Sequence, residues 1–268
     1  MRAGRWQAFL AKPTLARLLD VWDAAPDEKE QVDLMSQAAQ YLQSYLAHPP
    51  RERGSMEFEW REDDLEQTAW VNKSELAHAY QLAGEWGAAH ETAAREKTLG
   101  WSSGDSAQGL VLPFFLVLLS GKAAHALPAN LAQQWQTALQ NSVGSGYYGD
   151  GSQDEDNVLK RLQRVYADKL AGASIASSQQ KEILSWCQRV VKQRTDDIVG
   201  NQHRGSYGKA AVLTAACAET LQSLGKKLEA DLFLEDARNR FPRHRAFQAE
   251  LDTATERMGR GSKRKGNR

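Results

Sequence analysis

The stretch TAACAETLQSLGKKLEADLFLEDARNRFP, residues 214–242, predicts two antiparallel helices joined by a tight turn. Ala218 lies where the two helices would cross, and its small side chain permits a close approach. Gly225 can end the first helix in a left-handed conformation. Ala230 lets the second helix pack back on the first, and Pro242 closes the unit because proline cannot continue a helix.

A second stretch, KSELAHAYQLAGEWGAAHETAAREKTLGW at residues 73–101, repeats this pattern. Ala77, Gly84 and Ala89 stand at the same intervals as the alanine, glycine and alanine of the first stretch. The sequence therefore predicts two helical hairpins of the same kind, one in each half of the chain.

The spacing resembles the tetratricopeptide repeat, a helix–turn–helix unit of about 34 residues. The resemblance covers about a quarter of the chain and implies stacked helical hairpins whose concave groove takes a protein partner. The 214–242 copy lacks the aromatic residues of the family. The 73–101 copy has Ala93 where an aromatic residue is usual and Trp101 where proline is usual. A generic helical hairpin explains the same pattern, and both interpretations stay open.

Apolar residues recur with a period near 3.6 through most of the remaining chain, which is typical of amphipathic helices. Residues 56–60 alternate as a strand would, but a lone strand has no sheet to join. The run LVLPFFLVLL at 110–119 is about half as long as a membrane-spanning helix, so we expect a buried core helix there. We predict an all-α fold of nine to eleven helices, whose antiparallel hairpins stack as an irregular α-solenoid without a substantial sheet.

Composition breaks divide the chain into four predicted parts. An N-terminal helical part covers residues 1–143, and an acidic, glycine-rich loop covers 144–156. A C-terminal helical part covers 157–256, and a disordered basic tail covers 257–268. The C-terminal part also faintly resembles helical segments of bacterial proteins that carry SWIM-type zinc fingers, through Ala218-Glu219 and the run RFPRHRAF at 240–247. The Cys-x-Cys and Cys-x-His pairs of that family are absent, so no zinc is implied.

The formal net charge is zero, with 34 basic and 34 acidic residues, but the charge is segregated. Residues 1–188 hold 17 basic and 24 acidic residues, and residues 189–268 hold 17 basic and 10 acidic residues. Neutrality excludes a chain that is basic throughout, although it leaves a local basic end. That end could bind nucleic-acid phosphates or simply keep the chain soluble.

Two sets of candidate binding residues follow. A protein partner is the favoured ligand, and nucleic acid is the alternative. We expect no membrane binding. The candidates for a protein partner are aromatic residues of the first hairpin and of loops: Tyr80, Trp86, Trp60 and Trp101. The candidates for nucleic acid are basic residues near the C-terminus: Arg238, Arg240, Arg243, Arg245, Arg257, Arg260, Lys263, Arg264, Lys265 and Arg268.

Sequence matches to catalytic or metal-binding motifs lack the flanking structure or the residues that those sites need. Residues 100–104 match G-x-S-x-G but follow a helical pattern instead of a strand. The acidic stretch at 150–161 lacks the glycine and the final glutamate of a calcium loop, and no two histidines have the spacing of a zinc site. We therefore predict no catalytic residues, cofactor or metal, although residues brought together in space could still form an active site. Two cysteines without a signal peptide indicate a cytoplasmic protein with reduced thiols.

Overall fold

The computed structural model describes residues 2–48, 71, 73–96, 106–144 and 153–263. Within these ranges all regular structure is helical, and the predicted all-α class is confirmed. The described residues form twelve α-helices: α1 Arg2–Ala11, α2 Leu15–Ala24, α3 Glu28–Ala47, α4 Lys73–Ala83, α5 Trp86–Ala94, α6 Ala107–Ser120, α7 Ala129–Gly144, α8 Gln153–Gly172, α9 Ser177–Thr195, α10 Tyr207–Ser223, α11 Lys227–Arg240 and α12 Arg245–Lys263. The alternating segment at 56–60 lies outside the described residues.

Several helices begin at side chains that cap free backbone N–H groups. The Asp27 carboxylate accepts a hydrogen bond of 2.9 Å from the N–H of Glu30 at the start of α3. The Ser106 hydroxyl accepts one of 3.0 Å from the N–H of Gly109 at the start of α6. Such caps stabilise a helix end by about 1 kcal/mol.

Both predicted hairpins are present, as α4–α5 and α10–α11. Gly84 and Gly225 follow the first helix of each hairpin and have φ angles of 80° and 77°. These angles confirm the prediction that glycine ends those helices in a left-handed conformation, which other residues adopt at a cost.

Helices α6 and α10 form the centre of the molecule. All residues of α6 except Gly109 are buried, which confirms the prediction that the run at 110–119 belongs to a core helix. Helix α6 packs against α4, α5, α7, α9 and α10, and α10 packs against α6, α7, α9, α11 and α12. Cys187 and Cys217 are free thiols in this core. No helix in the described ranges is long and apolar enough to cross a bilayer.

The contacts between helices are not limited to neighbours along the chain. Helix α6 packs against α10, and α2 packs against α8, although several helices separate the members of each pair in sequence. In a regular solenoid each repeat contacts only the next one. The solenoid arrangement therefore stays a prediction.

Two predicted boundaries differ from the helix ends. Helix α8 begins at Gln153, inside the segment predicted as an acidic loop. Helix α12 continues to Lys263, seven residues into the segment predicted as a disordered tail. Its buried stripe of Leu251 and Ala254 extends to Met258, which packs against the core.

Candidate functional site

Two of the aromatic residues predicted to bind a protein partner, Tyr80 and Trp86, pack against the core of the described structure. Tyr80 lies in α4, which is covered by α3, α5 and α6, and its side chain is buried. Trp86 is half-buried, with its ring centroid 5.3 Å from that of Phe114. The assignment of Tyr80 to an accessible surface is therefore wrong, since the inner side of this hairpin is core. Trp60 and Trp101 lie outside the described residues.

The basic residues predicted to bind nucleic acid are partly engaged within the chain. Arg238 forms an ion pair of 3.0 Å with Asp252, and Arg240 forms ion pairs with Asp196 and, at 3.2 Å, with Asp236. These carboxylates compensate two of the predicted charges, so the two arginines contribute little to a phosphate-binding surface.

The other members of that set lie further along the chain. Arg243 and Arg245 are exposed at the junction between α11 and α12. Arg257 donates a hydrogen bond of 3.0 Å to the side-chain oxygen of Gln133. Arg260 and Lys263 belong to α12, and Arg264, Lys265 and Arg268 lie outside the described residues.

The sequence analysis missed an apolar pair on the outer surface of α11. Leu228 is 72% exposed and Leu232 is 55% exposed, and they are the two large hydrophobic side chains exposed in the part of the chain that the structure describes. Helix α11 packs on the core through its opposite side, formed by Ala230, Phe233, Leu234 and Ala237. A helical projection of residues 227–240 could have found the pair, because the two leucines fall away from that stripe.

Carboxylates flank the leucine pair on both edges of α11, but only one edge is neutralised. On one edge Glu229 forms an ion pair of 3.0 Å with Lys226, and Asp236 forms one of 2.9 Å with Lys192. On the other edge lie Asp231 and Glu235, both exposed. Neither has an ion-pair or hydrogen-bond partner among the described residues.

We call the surface formed by Leu228, Asp231, Leu232 and Glu235 the α11 outer face. Contacts at both ends of α11 hold it in place. At the turn before α11, the N–H of Lys226 donates a hydrogen bond of 2.9 Å to the carbonyl of Leu221. At the C-terminal end, the Gln248 amide donates hydrogen bonds of 3.0 Å to the carbonyls of Arg238 and Phe241. The outer face is therefore presented by a well-anchored helix.

A buried carboxylate, that of Glu219, lies at the start of α7. It accepts hydrogen bonds of 2.8 Å from the Asn130 side-chain amide and 2.7 Å from the Leu131 N–H. Burial raises the pKa of Glu219, and these hydrogen bonds oppose the rise. The Asn130 amide also donates to the Ala254 carbonyl at 3.0 Å, so this cluster joins α7, α10 and α12. Its bonds are those of a helix cap.

A second buried polar cluster contains His78, Gln81 and Tyr166. The Tyr166 hydroxyl donates to the Gln81 side-chain oxygen at 2.5 Å and lies 2.8 Å from Nδ1 of His78. Because the hydroxyl proton points to Gln81, Nδ1 of His78 is the donor in the second bond. Burial lowers the pKa of His78 to about 3 and raises that of Tyr166. All three side chains are buried, so a substrate in solvent does not reach them.

An open groove lies between α1, α2 and α3. It has a volume of about 410 Å³, and its lining is mostly apolar. The lining residues are Ala3, Trp6, Val21, Ala24, Leu34 and Gln37. None of them is titratable, so the groove has no acid, base or nucleophile for catalysis. In the part of the chain that the structure describes, no group of three or more histidine, cysteine, aspartate or glutamate residues could hold a metal ion.

Comparison of this chain with protein-family models, with curated proteins and with solved structures found no match.

Proposed function

We propose that this chain is a non-enzymatic binding protein that joins a larger assembly by docking a protein partner on the α11 outer face. The observation that carries the proposal is the exposure of Leu228 and Leu232 on a helix that otherwise buries its apolar residues. Exposed apolar side chains with a polar rim are typical of protein–protein interfaces.

The chemistry of the face favours a protein over nucleic acid. Asp231 and Glu235 stand beside the leucines, and carboxylates repel phosphates. Arg238 and Arg240, which flank the C-terminal end of α11, already pair with carboxylates of this chain. The alternative is nucleic-acid binding through Arg243, Arg245 and the C-terminal residues. The experiment must therefore distinguish protein binding from nucleic-acid binding.

The hairpin geometry supports the further proposal of a scaffold built from tetratricopeptide-like units. The left-handed glycines and the fully buried alanines at positions 77, 89, 218 and 230 are the features such a unit needs for close helix packing. We also propose a cytoplasmic location, since Cys187 and Cys217 are free thiols.

Site-specific photo-crosslinking tests the proposed function. The full chain carries a photoreactive benzoylphenylalanine at position 232 or, as a matched control, at the exposed position 43 on α3. Both proteins are irradiated in an extract of the natural host, with and without nuclease. We expect a protein adduct at position 232 that resists nuclease and is absent at position 43. An adduct that requires nucleic acid, or that forms equally at both positions, would contradict the proposal.

A further inference from the structure

We infer that the partner segment is a basic amphipathic helix, which places two apolar residues on Leu228 and Leu232 and its positive charges along the edge of Asp231 and Glu235. This inference rests on the proposed function and adds the chemistry of the ligand.

The leucine spacing fits a helical ligand. Leu228 and Leu232 are four residues apart on α11, so they are separated by about 6 Å along the helix axis. Apolar residues three or four apart on a second helix have the same spacing, which is how amphipathic helices dock on apolar surfaces. The buried side of α11 stays in the core while its outer side takes the ligand.

The two edges of α11 beside the leucine pair differ in net charge. This difference determines on which side of the ligand helix the positive charges lie. Glu229 and Asp236 are already compensated by basic residues of this chain. Asp231 and Glu235 are not compensated by any ion pair among the described residues. Lys227, one turn before Asp231, and Arg238, three residues after Glu235, lie along the same edge, but Arg238 is already paired with Asp252. The edge therefore keeps a net negative charge, which attracts lysine or arginine side chains of a partner.

The same charges argue against a second copy of this chain as the occupant. A twofold axis pairs α11 with α11 in either a parallel or an antiparallel arrangement. In the antiparallel arrangement Asp231 and Glu235 face their own counterparts. In the parallel arrangement they face Glu229 and Asp236 of the other copy. The antiparallel arrangement brings uncompensated carboxylates together, which disfavours association. The edge of Glu229 and Asp236 that the parallel arrangement offers is already neutralised, so neither arrangement supplies the positive charge that Asp231 and Glu235 attract.

Synthetic peptides test the inference directly. The probe is an alanine-based peptide of about 18 residues, long enough to form a helix, with two leucines four residues apart and lysines along one edge. A second peptide has glutamates in place of the lysines, and a third has glutamines in place of the leucines. Each is titrated into the full-length chain with ¹³C-methyl-labelled leucines, and the methyl signals of Leu228 and Leu232 are followed by NMR.

We expect saturable shifts of both leucine signals with the lysine peptide and none with the other two. The double variant Asp231→Asn/Glu235→Gln should bind the lysine peptide about fivefold more weakly, since it removes two exposed charge pairs. The matched control Glu229→Gln should change the affinity less than twofold, because Lys226 already compensates Glu229. All three positions are on the surface of α11, and circular dichroism checks that the fold is kept.

Three results would overturn the inference: no shift with the lysine peptide, equal binding of the glutamate peptide, or an effect of Glu229→Gln as large as that of the double variant. If the crosslink at position 232 still captures a protein, the proposed function stands and only the basic helix is wrong. If the crosslink also fails, the proposed function falls with it.

Discussion

The carboxylate of Glu219 in α10 accepts a 2.7 Å hydrogen bond from the backbone N–H of Leu131 in the first turn of α7. A residue 88 positions away in sequence thus caps a helix whose first N–H groups would otherwise be unpaired in the core. The bond fixes α7 against α10, the helix on which α11 also packs. A buried polar contact therefore adds to the apolar packing that holds α7 on α10.

Replacing this carboxylate should destabilise the protein. In Glu219→Gln the amide NH₂ would face the Leu131 N–H, so one donor stays unpaired in a buried site. We expect the free energy of unfolding to fall by about 1–3 kcal/mol, measured by urea denaturation. The matched control Glu235→Gln changes an exposed glutamate and should stay within about 0.5 kcal/mol of the wild type. Equal effects of the two variants would show that Glu219 does not act as a buried cap.

The turn of the second hairpin makes a separate prediction. A Cβ at Gly225 would meet no atom within 4 Å, so Gly225→Ala tests the backbone conformation alone. With φ at 77°, we expect a loss of about 1–2 kcal/mol in the free energy of unfolding. Gly87→Ala, in the first turn of α5, should be neutral or slightly stabilising. A neutral Gly225→Ala variant would contradict the left-handed turn.

The buried His78 predicts how stability depends on pH. Burial lowers its pKa to about 3, whereas an unfolded chain has a histidine pKa of about 6.5. Below about pH 6.5 the unfolded chain binds a proton that the folded chain does not. The contribution of neutral His78 to the free energy of unfolding is therefore fully present above that pH and is lost as the pH falls toward 3. Between about pH 7 and about pH 5, wild type should lose about 2 kcal/mol more than His78→Gln.

Urea denaturation at both pH values checks this prediction. The control is His125→Gln, which makes the same substitution at an exposed histidine. Parallel losses of stability in wild type and His78→Gln would mean that His78 titrates normally in the folded chain.

The contact between α2 and α8 depends on Arg161. Its guanidinium donates to Asp20 at 2.8 Å and to Asp23 at 2.9 Å. Because lysine cannot reproduce this two-carboxylate geometry, Arg161→Lys should lower the free energy of unfolding by about 1 kcal/mol, and less at high salt. Arg164→Lys, which changes a more exposed single contact to Asp23, should have a smaller effect. Chemical denaturation at low and high salt measures the free energy of unfolding of both variants. An equal loss in the two variants would contradict the role of Arg161.

Local patterns in the sequence predict the helices and the hairpin turns, but not the site. Gly84 and Gly225 carry their conformational preference in the residue type itself. The burial of Tyr80 depends on α3 and α6, and the neutralisation of Arg240 depends on Asp196, which is 44 positions away. Such long-range contacts arise only from tertiary packing, so sequence reasoning assigned both residues to binding surfaces, although the pairing of Arg240 with Asp236 has an i,i+4 spacing that the sequence shows.

The exposure of the leucine pair on α11 is partly predictable from the sequence. Leu228 and Leu232 stand among Ala230, Phe233 and Leu234 in a segment rich in apolar residues. A helical projection separates the two leucines from the stripe of Ala230, Phe233, Leu234 and Ala237, but only the packing of α11 on α10 shows which of the two sides faces the core.

The most direct test of the central claim is the affinity of the partner captured at position 232 for wild type and for Leu228→Asn/Leu232→Asn. Both side chains are exposed, so the double variant should melt within a few degrees of the wild type. We predict that the dissociation constant, measured by calorimetry with the purified partner, rises at least about tenfold, since two apolar side chains are lost from the interface. An unchanged dissociation constant with an intact fold would contradict the claim that the α11 outer face binds a protein.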